Sequence, residues 1–276
     1  MKAHLYKYIY FQKKVSLVIV KTRAVVLREI KYRDQSKICL LMTREYGQVS
    51  VILKGGRSPK SRIGVLFSPG NIIDTVLYRK STRDIQLASD ASLVLSPLSS
   101  SPDLERFSVL YRVLDLARHS SGTEEKNVPL FTLLCSTIEQ LCNTDESFQA
   151  ILAWFLLRLV GVLGFSPSID RCVFSREELM AAIHERGLQE LHFVHDPGGF
   201  ALPGAAITFD ASLQTIPVSR YQLIHALASS GVCTHPDASP SDVTAVCDLL
   251  QEYCSRHLDR MPHRKHLDIV SRLLSA

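Results

Sequence analysis

Residues 20–94 read VKTRAVVLREIKYRDQSKICLLMTREYGQVSVILKGGRSPKSRIGVLFSPGNIIDTVLYRKSTRDIQLASDASLV. Short runs rich in Val, Ile, Leu, Thr and Tyr alternate here with turn punctuation, the signature of strands joined by tight connections. The runs predict five strands, at about 20–30, 37–44, 48–54, 71–79 and 85–90. The turns between them are Arg33-Asp34-Gln35-Ser36, Glu45-Tyr46-Gly47, a long loop from Lys54 to Pro69, and Ser81-Thr82-Arg83-Asp84. Val49, Val51 and Leu53 alternate with Ser50 and Lys54, as do Ile85 and Leu87 with Gln86. Five short strands in so little chain point to a small barrel, and the OB-fold is the usual five-stranded solution.

The charge on this stretch is lopsided. Residues 1–94 hold 18 Lys and Arg against 6 Asp and Glu, a balance of +12, while the remainder stands at −7 and the whole chain at +5. So strong a local excess on a small barrel implies a face for a polyanion. Lys54-Gly55-Gly56-Arg57-Ser58-Pro59-Lys60-Ser61-Arg62 is its sharpest piece, with four cations, no acid, and Gly and Ser positions where backbone N–H groups can approach a phosphate. The phosphate-contacting candidates are Arg23, Arg33, Lys37, Arg44, Lys54, Arg57, Lys60, Arg62, Arg79 and Lys80; the bland alternative for each is a solvated charge. Tyr32, Tyr46 and Tyr78 are candidate base platforms that barrel packing would explain equally well.

Outside the barrel the pattern changes. Residues 1–19 form an N-terminal extension with tyrosines and lysines, expected to be poorly ordered and consistent with an upstream start codon. Its apolar run is too short for a signal peptide or membrane span. After a Ser-Pro linker from Ser96 to Asp103, helical spacing takes over: one helix from Leu104, a second carrying Leu130 to Leu141, and a very apolar third from Phe148 to Gly164, interrupted by Arg158. Residues 167–217 are irregular, with a short helix expected at 176–186. Helices resume at 220–229, 241–257 and 263–274. The expected fold is therefore α+β: a barrel over 20–95, a helical domain over 96–166, an irregular insert over 167–217, and C-terminal helices over 218–276 packing on the helical domain. Seven scattered cysteines with no CxxC read as reduced thiols of a cytoplasmic protein.

No catalytic signature emerges. The Lys54–Ser61 run superficially resembles a P-loop but lacks the GxxxxGK[ST] spacing, and neither a nucleophile elbow nor HExxH is present. Asp145-Glu146 and Glu177-Glu178 are adjacent pairs that point apart on a helix. The expectation is a binding protein and not an enzyme.

An ordered set of matches resembles the RecO family of bacterial recombination mediators. It comprises Val25-Val26-Leu27, Lys37-Ile38, Thr43-Arg44-Glu45-Tyr46-Gly47, Lys54-Gly55-Gly56-Arg57, Pro59-Lys60-Ser61, Ser68-Pro69, Leu156-Leu157-Arg158-Leu159, and the run from Leu163 to Cys172. The resemblance covers residues 20–172 well and the rest loosely. It implies a DNA repair protein that binds single- and double-stranded DNA, anneals complementary strands and, with RecR, helps load RecA onto DNA coated by the single-strand-binding protein SSB. It also implies binding of the SSB C-terminal tail, for which Arg112, Trp154 and Arg158 are candidates, and nucleoid association during repair. The last helix, with Lys265, Ser271 and Arg272, is similar to a basic C-terminal stretch of the family, and the run Arg256, His257, Arg260, His263 to His266 is a second candidate DNA contact. Many members carry a four-cysteine zinc module; here Cys172 alone holds a ligand position, Ser175 stands where the second cysteine would, and the later pair is missing. The insert is thus expected to be a zinc-module remnant without zinc. An RNA-binding OB module of translation or ribosome assembly, or a barrel that binds only protein, would leave the same sequence pattern.

Overall fold

A computed structural model describes residues 17–99, 103–143, 147–204, 213–230 and 238–259. They form two compact units: the first runs to Ser96 and includes Thr123–Lys126, and the second comprises Pro97–Gly122 and the chain from Asn127.

The first unit is a closed barrel of β1 (Leu17–Tyr32), β2 (Ser36–Thr43), β3 (Gly47–Leu53), β4 (Ile72–Lys80) and β5 (Ile85–Leu95), in the order β1-β2-β3-β5-β4. Among these five described strands only β3 and β5 pair in parallel. This is the OB-fold, and it follows from alternation: Ala24, Val26, Cys39, Leu41, Val49, Val51, Leu53, Ile73, Leu77 and Ala88 all point into one core with Phe67. β1 is long enough to pair with β4 through its first half and with β2 through its second, which is how five strands close.

Four features depart from the sequence reading. β1 begins at Leu17, so Leu17–Ile19 belong to the barrel, paired with Lys80, Arg79 and Tyr78, and not to an extension; residues 1–16 lie outside the described residues. The unbroken apolar run Leu17–Val20 hides the period of two. β5 continues to Leu95 because β4 carries its pairing to Ile72↔Leu95. The long loop contains a one-turn helix, α1 (Arg62–Leu66), whose first turn is capped by the Ser61 hydroxyl accepting from the Gly64 N–H at 3.1 Å. Buried Asn71 closes the other end by donating to the Leu66 carbonyl at 3.0 Å and accepting from Ser96 Oγ at 2.7 Å.

Thr123–Lys126 is the fourth. This strap lies between two helices of the second unit, yet it is folded onto the barrel. The Glu124 N–H donates to the Gln48 carbonyl at 2.9 Å, and Thr123 bridges Gln48 in parallel. Gly47 has φ 65°, and a Cβ there would lie 1.9 Å from the Glu125 carbonyl oxygen, so only glycine lets the strap approach.

The second unit holds α2 (Leu104–His119), α3 (Val128–Asn143), α4 (Phe148–Val162), α5 (Leu179–Arg186), α6 (Val218–Ser229) and α7 (Pro240–Asp259). α4 is buried at nearly every position from Ala150 to Val160 because α2, α3, α6 and α7 all pack on it. No helix among the described residues is long and apolar enough to cross a membrane. The insert is more regular than its sequence suggests: β6 (Glu190–Val194), β7 (Gly199–Ala201) and β8 (Leu213–Pro217) make a small sheet in the order β7-β6-β8. Phe193 meets Phe200 and Tyr253 edge-on, and Phe200 meets Tyr221, so an aromatic cluster holds it. The helix expected at 263–274 and its basic residues lie outside the described residues.

Candidate nucleic-acid interface

The basic loop is held by its backbone. Gly55 at φ 69° and hydrogen bonds from the Ser58 N–H to Gly55 O and the Ser61 N–H to Ser58 O coil it into successive turns. Arg57 then pins it to the β1–β2 turn: its N–H donates to Gln35 O at 3.0 Å, and Nη1 to Arg33 O at 2.8 Å and Asp34 O at 3.1 Å. Lys54, Lys60 and Arg62 project from this platform, exposed and with no side-chain partner among the described residues. Arg33, at φ 52° in the adjoining turn, lies 5.3 Å from the Tyr32 ring centroid, so the loop and the turn present their cations together.

The other candidates divide by what already engages them. Arg44 is exposed and Lys80 half-buried. Arg23 is tied to Asp74 by two hydrogen bonds, 2.9 Å from Nε and 3.1 Å from Nη2. The Arg23 hydrogen bond outweighs the slight desolvation of Asp74 and holds its carboxyl below the usual carboxylate range. Both line a groove of about 580 Å³ on the outside of β1, β4 and β5, where Lys21, Arg23 and Arg44 are balanced by Glu45, Asp74 and Asp90. Arg79 lies 4.1 Å over the Tyr46 ring and 3.2 Å from a Glu124 carboxylate oxygen, so the strap meets its charge.

Lys37 does not belong to the surface set. It is 7% exposed, bound to Glu29, and donates to Phe67 O at 3.2 Å. Its position follows from parity: Cys39 and Leu41 point into the core, so Lys37 does too. Beside it the Cys39 thiol is pushed up to about 12 by burial, against the lowering effect of the Lys37 charge. Exposed Lys31 and Arg83, which strand-by-strand reading passes over, add to the solvent-facing cations. Gln86, 1% exposed, accepts from the Lys80 N–H and donates to Lys80 O and Arg83 O, fixing the β4–β5 turn.

In the helical unit Trp154 and Arg158 come together and Arg112 does not join them. Trp154 Nε1 donates to Ser230 O at 3.4 Å, and Arg158 donates to Ala228 O at 2.8 Å and to Ser230 O, so both bind the C-terminal carbonyls of α6. Arg112 instead donates to Gln251 Oε1 on α7. His257 is 7% exposed and stacked on Phe165, and Arg256 pairs with Glu252.

Cys172 is fully buried, its sulfur accepting from the Ser175 and Leu202 N–H groups, each at 3.5 Å. Burial raises this thiol, but the hydrogen bond from the Ser175 side chain, with those from the Leu202, Ser175 and Phe174 backbone, prevails and brings it below its ordinary value. Among the described residues no group of three or more His, Cys, Asp or Glu gathers that could hold a metal ion.

Fold and surface together define the class: an OB-fold protein with a cation-bearing barrel and a helical second unit. The model of the Recombination protein O N-terminal domain matches residues 17–97, from the start of β1, and that of the Recombination protein O C-terminal domain matches residues 101–267; the chain belongs to the RecO family. It is 71% identical over 260 residues to the DNA repair protein RecO of Chlorobaculum parvum, covering 94% of this chain and 100% of the relative. Identity is 56% to that of Pelodictyon phaeoclathratiforme (93% and 99% covered) and 52% to that of Chlorobium limicola (94% and 100%).

Proposed function

We propose that this chain is a non-enzymatic DNA repair protein whose barrel binds single- and double-stranded DNA and anneals complementary strands. With RecR, in this reading, it helps RecA load onto SSB-coated DNA. The observation that carries it is the platform at residues 54–62: Lys54, Lys60 and Arg62 stand free on a loop that Arg57 locks to the β1–β2 turn. A loop backbone fixed in advance spares its own ordering cost on binding, and each phosphate neutralised by a side chain releases counterions. Family membership and the relatives' names support the repair role.

The test is fluorescence anisotropy of a labelled single-stranded oligonucleotide across a salt series. Changing Lys54, Lys60 and Arg62 together to Ala is expected to flatten the log–log salt slope by about 2, at about 0.7 per phosphate contact. A wild-type affinity independent of salt, or an unchanged slope in the variant, would overturn the clamp. Faster annealing of complementary strands, retained when they are coated with SSB, is the expected companion result.

A further inference from the structure

Outward positions of an antiparallel barrel are ordinarily polar. Here one outward row is not. The registers Ile30↔Ile38, Ile38↔Ile52, Ile52↔Leu87, Leu87↔Tyr78 and Tyr78↔Ile19 set six apolar side chains side by side across all five strands. They alternate with the core residues Val20, Cys39, Val51, Leu77 and Ala88, so the row faces outward. Ile19 is 59% and Ile30 47% exposed, and the other four are half-buried.

The flanks carry a consistent charge. Two residues from a member on its own strand stand Lys21, Arg28, Lys54 and Lys80, and no Asp or Glu occupies any such position. An apolar row whose charged neighbours at these positions are all cations suits a chain with anionic links and flat apolar faces. A peptide adding to the sheet would use an open strand edge and not its face. Single-stranded nucleic acid crosses the strands as this row does, at about 4.8 Å per strand.

We propose that Ile38, Ile52, Leu87 and Tyr78 form the base-contacting surface of the barrel, with aliphatic side chains where such barrels ordinarily use aromatic platforms. The proposal rests on the DNA-binding reading above and adds the base side to its phosphate side. Its chemistry suits annealing. The three aliphatic members have no hydrogen-bonding group to engage a base edge, so contact with the base face leaves the pairing edge open to a complementary strand.

The experiment compares labelled oligo-dT with an abasic oligonucleotide of equal length on the full chain, at two salt concentrations. Wild type is expected to bind oligo-dT about tenfold more tightly than the abasic strand. Changing Ile38 and Ile52 together to Ser should bring oligo-dT down to the abasic level with the salt slope intact. Ile52→Tyr should raise affinity for oligo-dT and leave the abasic strand unaffected, a gain that a misfolded variant cannot give. Equal wild-type binding of both strands with a steep salt slope would overturn the row and leave the phosphate clamp standing. Unchanged oligonucleotide binding in the Ser variant would likewise overturn it. No measurable binding of either strand would sink the DNA-binding reading itself.

Discussion

The barrel ties down some of its cationic side chains, as at Arg23, Lys37 and Arg57, and leaves others free. On the barrel Lys54, Lys60 and Arg62 stand in solvent with no partner among the described residues. In the helical unit several arginines are drawn into the framework: Arg158 on the end of α6, Arg112 on Gln251, Arg118 on Asp115, Arg220 on Asp242. Arg106, 2% exposed, lies 5.1 Å from the Phe148 ring centroid. A guanidinium is the side chain best suited to this framework role, since its planar donors can serve several carbonyls at once. Net charge counts both populations alike. Only the free population can meet a phosphate, and the difference is set by which carbonyls and carboxylates lie within reach.

The comparison breaks most visibly at Arg158. Its replacement by Ala removes a charged donor from two carbonyls at the end of α6, with an expected loss of about 3 kcal/mol in urea unfolding. Oligonucleotide affinity under native conditions should not change; a drop in affinity at intact stability would make this arginine a ligand contact. The next effect is pH-dependent. Desolvation raises Asp115, but hydrogen bonds with His119 and Arg118 and their charges prevail, taking its carboxyl to about 2. A carboxyl lowered in the folded state stabilises fully above its unfolded value near 4, and that contribution is lost as pH falls through about 2. Asp115→Asn should therefore cost on the order of 1–2 kcal/mol at pH 7. The gap from wild type should close in thermal melts as pH falls from about 4 to 2; a gap that persists at pH 2 would remove the ionic origin. Lys60→Ala is the smallest case. Stability should stay within about 0.5 kcal/mol while the salt slope falls by about 0.7; the reverse pattern would move Lys60 into the framework class.

The barrel was legible because its turns are punctuated and its strands alternate, so five strands and their closure could be read from residues 20–94. Alternation also held information that reading each lysine as surface charge discards: two positions before Cys39 is an inward position, which is why Lys37 is buried. Other features lie below the reach of periodicity. α1 spans five residues and β7 three, too few to establish a period. Helix positions were readable, as at α4, but which arginine meets which carbonyl was not. Arg158 and Ser230 are 72 residues apart, and only the tertiary fold joins them. The same applies to Arg79, whose charge looked free until the strap brought Glu124 to it.

That strap makes the barrel discontinuous in the gene. A nascent chain that has released every residue through Ser96 has delivered all five strands but not Thr123–Lys126. The Gln48 carbonyl then lacks its Glu124 N–H donor, and Arg79 its carboxylate, until all of α2 has left the ribosome. The strap's contacts with the barrel therefore wait on synthesis of the first helix of the other unit. A fragment cut at Ser96 would carry all five strands without the strap's hydrogen bond and ion pair.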